Sequence, residues 1–148
     1  ADVTDCIEAT LKVVWNELKY KCEVHKRLQP LPRIHCYPGQ LNQVFMNLLV
    51  NAAQAIEEQG EIVIEAEVVE ADVVIRISDT GKGIPPENLE KLFNPFFTTK
   101  AIGEGTGLGL SISYGIIQKH HGRIEVESEV GRGTTFTIYL PITEEGHE

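Results

Sequence analysis

Several common readings fail for want of the residues they require. The three cysteines, Cys6, Cys22 and Cys36, form no C-x-x-C pair, which argues against a disulfide framework and a zinc knuckle and fits a reducing cytosol. Basic residues are scarce. The 13 Lys and Arg face 22 Asp and Glu, a net charge of −9, so the surface repels nucleic acid phosphates and anionic membranes. No apolar run approaches the roughly 20 residues that span a bilayer, and the first residues lack the basic and apolar regions of a signal peptide. No long segment is simplified to Gly, Ser, Pro or one charge, so disorder is a poor reading too. Two phosphate-binding fingerprints are also missing. The Gly81-Lys82 pair has Arg76 where the first P-loop glycine belongs, and Gly103 and Gly105 are followed by Leu108 where a dinucleotide motif needs its third glycine.

What is present suffices for one domain: 148 residues, 42% of them hydrophobic. We expect a single domain over 1–142 and a frayed tail over 143–148. The chain opens at Ala1 and enters a helical pattern within a few residues, which reads as a piece of something longer. From Asp5, an expected N-cap with Glu8 three residues on, Ile7, Leu11, Val14, Trp15, Leu18 and Cys22 recur at helical spacing. A short strand over 22–28 and a brief extended piece over 34–36 follow, then a turn at Tyr37, Pro38 and Gly39. Leu41, Val44, Phe45, Leu48, Leu49, Ala52 and Ile56 mark one face of a long helix that Gly60 closes. Alternation over 61–69 and 73–78 predicts a hairpin. A Gly and Pro loop over 80–86, a short helical piece near 87–92 and an irregular stretch over 94–107 lead to a helix over 108–120, ended by Gly122. Strands over 123–128 and 134–140 make a second hairpin around Gly131-Arg132-Gly133. The fold class is therefore α+β: a two-layer sandwich with helices on one face of a mixed, mainly antiparallel sheet.

Three features can carry chemistry. Gly81, Gly83, Gly103, Gly105, Gly107 and Gly109 lie in two loops, where backbone N–H groups can approach an anion, and the second loop runs into a helix start; a flexible linker is the plainer reading. Gln43, Asn47, Asn51, Gln54 and Glu58 fall opposite the long helix's apolar stripe, either as a solvated face or, at Asn47 and Asn51, as paired amide oxygens suited to Mg²⁺. Asp79 ends a strand, as an ordinary turn residue or as an acceptor for an exocyclic amine. Phe93, Phe96 and Phe97 are core or the fastening of a lid, and the five histidines have no metal-like spacing.

Taken in order, these segments resemble the ATP-binding catalytic domain of sensor histidine kinases, within the superfamily of gyrase-type and mismatch-repair ATPases. Asn47-Leu48-Leu49-Val50-Asn51-Ala52 is similar to the family's N box, Asp79-Thr80-Gly81-Lys82-Gly83-Ile84 to its first glycine box, and Phe93-Asn94-Pro95-Phe96-Phe97-Thr98-Thr99-Lys100 to its F box. Gly105-Thr106-Gly107-Leu108-Gly109-Leu110 is similar to the second glycine box and Gly131-Arg132-Gly133-Thr134-Thr135-Phe136 to the closing hairpin motif.

The resemblance implies a Bergerat-type fold that binds ATP with Mg²⁺. It implies that Asn51, helped by Asn47, holds the metal, and that Asp79 accepts from the adenine amine with Thr134 assisting. Gly81, Gly83, Ile84, Gly105, Thr106, Gly107, Leu108 and Gly109 then shape the nucleotide site, and Phe96, Thr99 and Lys100 belong to a lid over the phosphates, with Lys100, Asn47 and Asn51 the implied catalytic group. The γ-phosphoryl would pass to a His on a separate helical dimerisation domain and then to a response regulator. The chain alone, expected to be a cytoplasmic monomer that touches neither membrane nor nucleic acid, would then not autophosphorylate. Hydrolysing relatives carry a Glu base where Asn47 stands, so rapid hydrolysis is not expected. Gln54 and Ala55 replace a Lys and Tyr found in many members and suit the branch with a Phe-Phe-Thr-Thr-Lys lid. An anti-sigma-type serine kinase and a non-catalytic, nucleotide-gated interaction module are the alternatives.

Overall fold

A computed structural model describes residues 3–18, 22–34, 36–56, 59–84 and 108–142. Helix α1 (Val3–Leu18) buries Val3, Ile7, Leu11, Val14 and Leu18 along one stripe. It begins before Asp5, which lies in the first turn rather than at the cap, where a carboxylate favours the helix's positive end. Strand β1 (Cys22–Leu28) follows. Ile34 and Cys36 form no strand.

Helix α2 (Pro38–Ala55) starts where a turn was expected. Tyr37 is its N-cap in extended backbone (φ −101°, ψ 100°), and Pro38 opens the helix, where its missing N–H costs nothing and its φ is already helical. The helix stops at Ala55, and the Ile56 N–H donates to the Ala53 carbonyl at 3.2 Å. Gly60, expected to close it, instead opens strand β2 (Gly60–Val69), which forms a hairpin with β3 (Asp72–Asp79).

Helix α3 (Leu108–Lys119) ends in a left-handed turn, but the residue that adopts it is His121 (φ 62°), not the expected Gly122. The His121 N–H donates to the Gln118 carbonyl and the Gly122 N–H to the Ile117 carbonyl, both at 2.9 Å, so two of the last orphan carbonyls are satisfied. Gly122 is required by crowding, because a Cβ there would strike the Tyr139 carbonyl. Strands β4 (Arg123–Glu129) and β5 (Gly133–Pro141) complete a five-stranded sheet of order β1-β2-β3-β5-β4. Among the described strand pairs only β1 and β2 run parallel, with α2 in the connection between them.

Register places Ile64, Ile77, Phe136 and Val126 side by side, and Ala66, Ile75, Ile138 and Ile124 in the next row of that face. These rows pack with Leu41, Phe45, Leu48 and Leu49 of α2 in one core. The opposite face is mainly polar, with Val74 buried among its neighbours: Arg76 donates to Glu67 at 2.8 Å, and Ser78 meets Thr135 at 3.0 Å. That division, apolar toward helices and polar toward water, is the expected sandwich.

Candidate functional site

The core row nearest the end of β3 changes character across the sheet. Pairing sets Val24, Ile62, Asp79, Thr134 and Ser128 next to one another on β1, β2, β3, β5 and β4. Its first half is apolar and its second half polar, so three oxygen-bearing side chains stand at the margin of the helix-covered core.

Asp79 and Thr134 are buried, at 8% and 5% exposure. The Asp79 Oδ1 accepts the Gly81 N–H at 2.8 Å. Burial pushes its carboxyl up to about 6, although the N–H groups of Gly81 and Thr134 pull it the other way. No cationic side chain among the described residues offsets that burial. A buried carboxylate left without a counter-charge is costly for a purely structural residue and marks a place where a ligand can supply donors.

The loop after Asp79 is fixed on three sides. Thr80 exchanges bonds with Glu61 of β2: its N–H donates to the Glu61 carbonyl at 3.1 Å, and its hydroxyl accepts the Glu61 N–H at 2.9 Å. The Lys82 N–H donates to the last helical carbonyl of α2, at Ala55, at 3.0 Å, and the Gly131 N–H donates to the Lys82 carbonyl at 2.9 Å. Gly81 therefore packs against protein: a Cβ there would lie 2.6 Å from the Ala55 carbonyl oxygen. At this position the missing side chain makes room for the end of α2, and the Gly81 N–H remains at the Asp79 carboxylate.

Asn47, which the pattern allows either on a solvated face or as half of an amide pair, is half-buried, and its Nδ2 donates to Ser113 of α3 at 3.2 Å. Residues 47, 51 and 55 are each four apart, about 6 Å along the helix axis and on one face. Asn51 thus stands one turn from the α3 contact and one turn from the Gly81 turn, and it too is half-buried. With its nitrogen donating to Ser113, the Asn47 amide keeps oxygen as its acceptor half, and two amide oxygens on one face are hard donors of the kind Mg²⁺ accepts beside water and phosphate. Gln43 and Gln54 remain on the exposed side.

Ile84 joins the loop to β4 through its N–H. Leu108 and Gly109 begin α3, where the first N–H groups of a helix have no intrahelical partner. Phe96, Thr99, Lys100, Gly105, Thr106 and Gly107 lie outside the described residues, as do Phe93, Phe97 and the helical piece expected near 87–92.

Two residues went unnoticed in the pattern. Ser128 reads as an ordinary strand position, yet its Oγ accepts the Ile84 N–H at 2.7 Å, donates to the Gly133 carbonyl at 2.9 Å and lies 2.8 Å from the Thr134 Oγ1. His120, unremarkable by spacing, is buried between helices: its Nε2 accepts the Tyr37 N–H at 3.0 Å and its Nδ1 faces the Ile116 carbonyl at 2.8 Å. Both roles depend on contacts between residues 44 and 83 positions apart in the chain, which spacing does not reveal. The fold also gathers His25, Glu23 and Glu61, whose ligand atoms lie within 4.8 Å of one another, but all three are exposed side chains near a sheet edge. Among the described residues, no helix is long and apolar enough to cross a membrane.

The chain matches, over residues 36–144, the family model described as histidine kinase-, DNA gyrase B-, and HSP90-like ATPase. It is 43% identical over 145 residues to the sensor histidine kinase ZraS of Salmonella typhi, covering 95% of this chain and 30% of that protein. It is 43% identical to the sensor kinase CckA of Brucella abortus, covering 88% of this chain and 15% of that one. The chain thus spans less than a third of these curated relatives. Among solved structures, the nucleotide-free catalytic domain of histidine kinase ThkA superposes with a TM-score of 0.86 at 32% identity, over 99% of this chain and 96% of that one. Full-length ShkA in complex with AMPPNP superposes with a TM-score of 0.84 at 26% identity, over 95% of this chain and 30% of that one.

Proposed function

The chain belongs to the histidine kinase-, DNA gyrase B- and HSP90-like ATPase family and is an ATP-binding catalytic domain of the histidine kinase type; from that premise we propose that it binds ATP with Mg²⁺ and presents the γ-phosphoryl group to a histidine on a separate helical domain. An imidazole nitrogen of that acceptor attacks the γ-phosphorus. The N–P bond forms, the bond to the β,γ-bridging oxygen breaks, and ADP departs. A response regulator then takes the phosphoryl group onto an Asp. Because ATP is the substrate, the domain works in the cytoplasm.

The observation that carries this reading is Asp79, a buried acceptor at the end of a central strand that no described cation offsets. An ionised carboxylate accepts hydrogen bonds only, so it suits the adenine amino group and disfavours the 6-oxo edge of guanine. Thr134, its neighbour in register, is a second polar contact for the base. Asn47 and Asn51 would hold Mg²⁺, which supplies charge neutralisation at the phosphates. Phosphoryl transfer depends mainly on positioning and neutralisation, so this set is sufficient for the nucleotide half of the reaction. Asn47 has no proton-accepting role, in keeping with transfer rather than hydrolysis.

The test is calorimetric titration of the chain with ATP and GTP, with and without Mg²⁺. We expect selective ATP binding, weakened at least tenfold by Asp79→Asn, roughly 1.4 kcal/mol or more. Affinity unchanged within about twofold would remove Asp79 from the base site. Tight ATP binding with no transfer to any helical acceptor domain would instead favour a nucleotide-gated interaction module.

A further inference from the structure

Ser128 has one hydroxyl hydrogen and two lone pairs, and all three are committed. The Ile84 N–H occupies one lone pair at 2.7 Å, and the hydroxyl hydrogen goes to the Gly133 carbonyl at 2.9 Å. The remaining lone pair faces Thr134 Oγ1 at 2.8 Å. The threonine must therefore be the donor in that contact, and its oxygen is left with lone pairs alone. Thr134 pairs with Asp79 on the same face of the sheet, where directly opposed Cβ atoms stand about 4.5–5.5 Å apart. Two acceptors then lie together at the core margin, and a ligand edge that offers N–H groups is matched there while one that offers a carbonyl is not.

We propose that Ser128 is a positioning residue that commits the Thr134 hydroxyl to its acceptor role and so sharpens the site's preference for an amine-bearing purine. The same oxygen, by holding the Ile84 N–H, pins the end of the Asp79 loop to β4. The inference rests on the base-binding reading of Asp79 and adds to it a residue that never touches the nucleotide. Without Ser128, the Thr134 hydrogen is released to rotate, and the site can donate as well as accept.

The experiment compares ATP with inosine triphosphate, which carries a carbonyl in place of the 6-amino group, by calorimetry on the wild-type chain and on Ser128→Ala, Ser128→Thr and Thr134→Val. Ser128→Ala should narrow the ATP preference by about fivefold, the size of one net hydrogen bond. Ser128→Thr, which keeps the hydroxyl, should restore it to within about twofold. In a Thr134→Val background, Ser128→Ala should leave the preference unmoved, since Ser128 acts through Thr134. Equal weakening of both nucleotides by Ser128→Ala would overturn the proposal and leave Ser128 a loop tether only, with the Asp79 reading intact. A wild-type chain that binds both nucleotides equally would instead overturn the Asp79 reading itself, and this inference with it. Should Ser128→Ala fail to fold, Ser128→Cys keeps the side chain's shape with a weaker donor and acceptor, and an undiminished preference there would sink the idea equally.

Discussion

Burial of Asp79 has a cost to the fold that depends on pH. Its carboxyl sits at about 6 in the fold against an ordinary 3.8, so the native state holds the proton more tightly than the unfolded chain does. Stability therefore falls as pH rises from about 4 through 6, and the penalty is complete above that window. Asp79→Asn removes the charge. In the absence of nucleotide the variant should be more stable than wild type at pH 7.5, by on the order of 2 kcal/mol, and the two should converge below pH 4. Urea denaturation at the two pH values measures this, and a variant less stable at both would mean that the bonds from Gly81 and Thr134 outweigh burial. ATP affinity should move the other way, declining as pH falls through about 6, where the acceptor is lost by protonation. Pattern singles out Asp79, as a turn residue or as an acceptor, because a carboxylate ahead of a glycine loop is visible in one dimension. Ser128 was not legible, since nothing in Glu-Ser-Glu reveals that the middle hydroxyl meets a loop 44 residues away.

Helices and strands were legible where burial is periodic, and less so where tertiary contacts set their ends. The stripes of α1 and α2 and the alternation of β2 and β3 follow directly from which residues enter the core. Boundaries are another matter: Pro38 was assigned to a turn although it begins α2, and the left-handed position after α3 fell on His121 because Gly122 is needed against Tyr139. His120 shows why spacing fails for ties between elements. It accepts from the cap residue of α2 while contacting a carbonyl of its own helix, and its ring meets that of Tyr37 edge-on at 5.6 Å. With Nε2 accepting from the Tyr37 backbone, Nδ1 is the ring nitrogen left to face the Ile116 carbonyl. His120→Ala should destabilise the domain by about 1–2 kcal/mol, read as a lowered urea midpoint with unchanged slope. A midpoint equal to wild type would mean that water replaces the imidazole at no cost.

The whole molecule divides its labour between a central strand and its margins. Both outer strands carry charged side chains on exposed positions, Glu23, Lys26 and Arg27 on β1 and Arg123, Glu125, Glu127 and Glu129 on β4, which discourages pairing with further chains. β3 is paired along its full length on both sides, from Asp72 to Asp79, with β2 and β5. Its amides should exchange with solvent only through global unfolding, and those of β1 and β4 earlier. Deuterium uptake resolved by segment checks this order, and fast exchange in β3 would refute it. For the proposed nucleotide site the consequence is one of timing. Asp79 ends the strand that is paired on both sides and is expected to open last, so its place should be kept for as long as the domain stays folded. A nucleotide arriving at any moment would meet the same carboxylate in the same position, and the waiting time for that half of the encounter would be set by diffusion rather than by the protein.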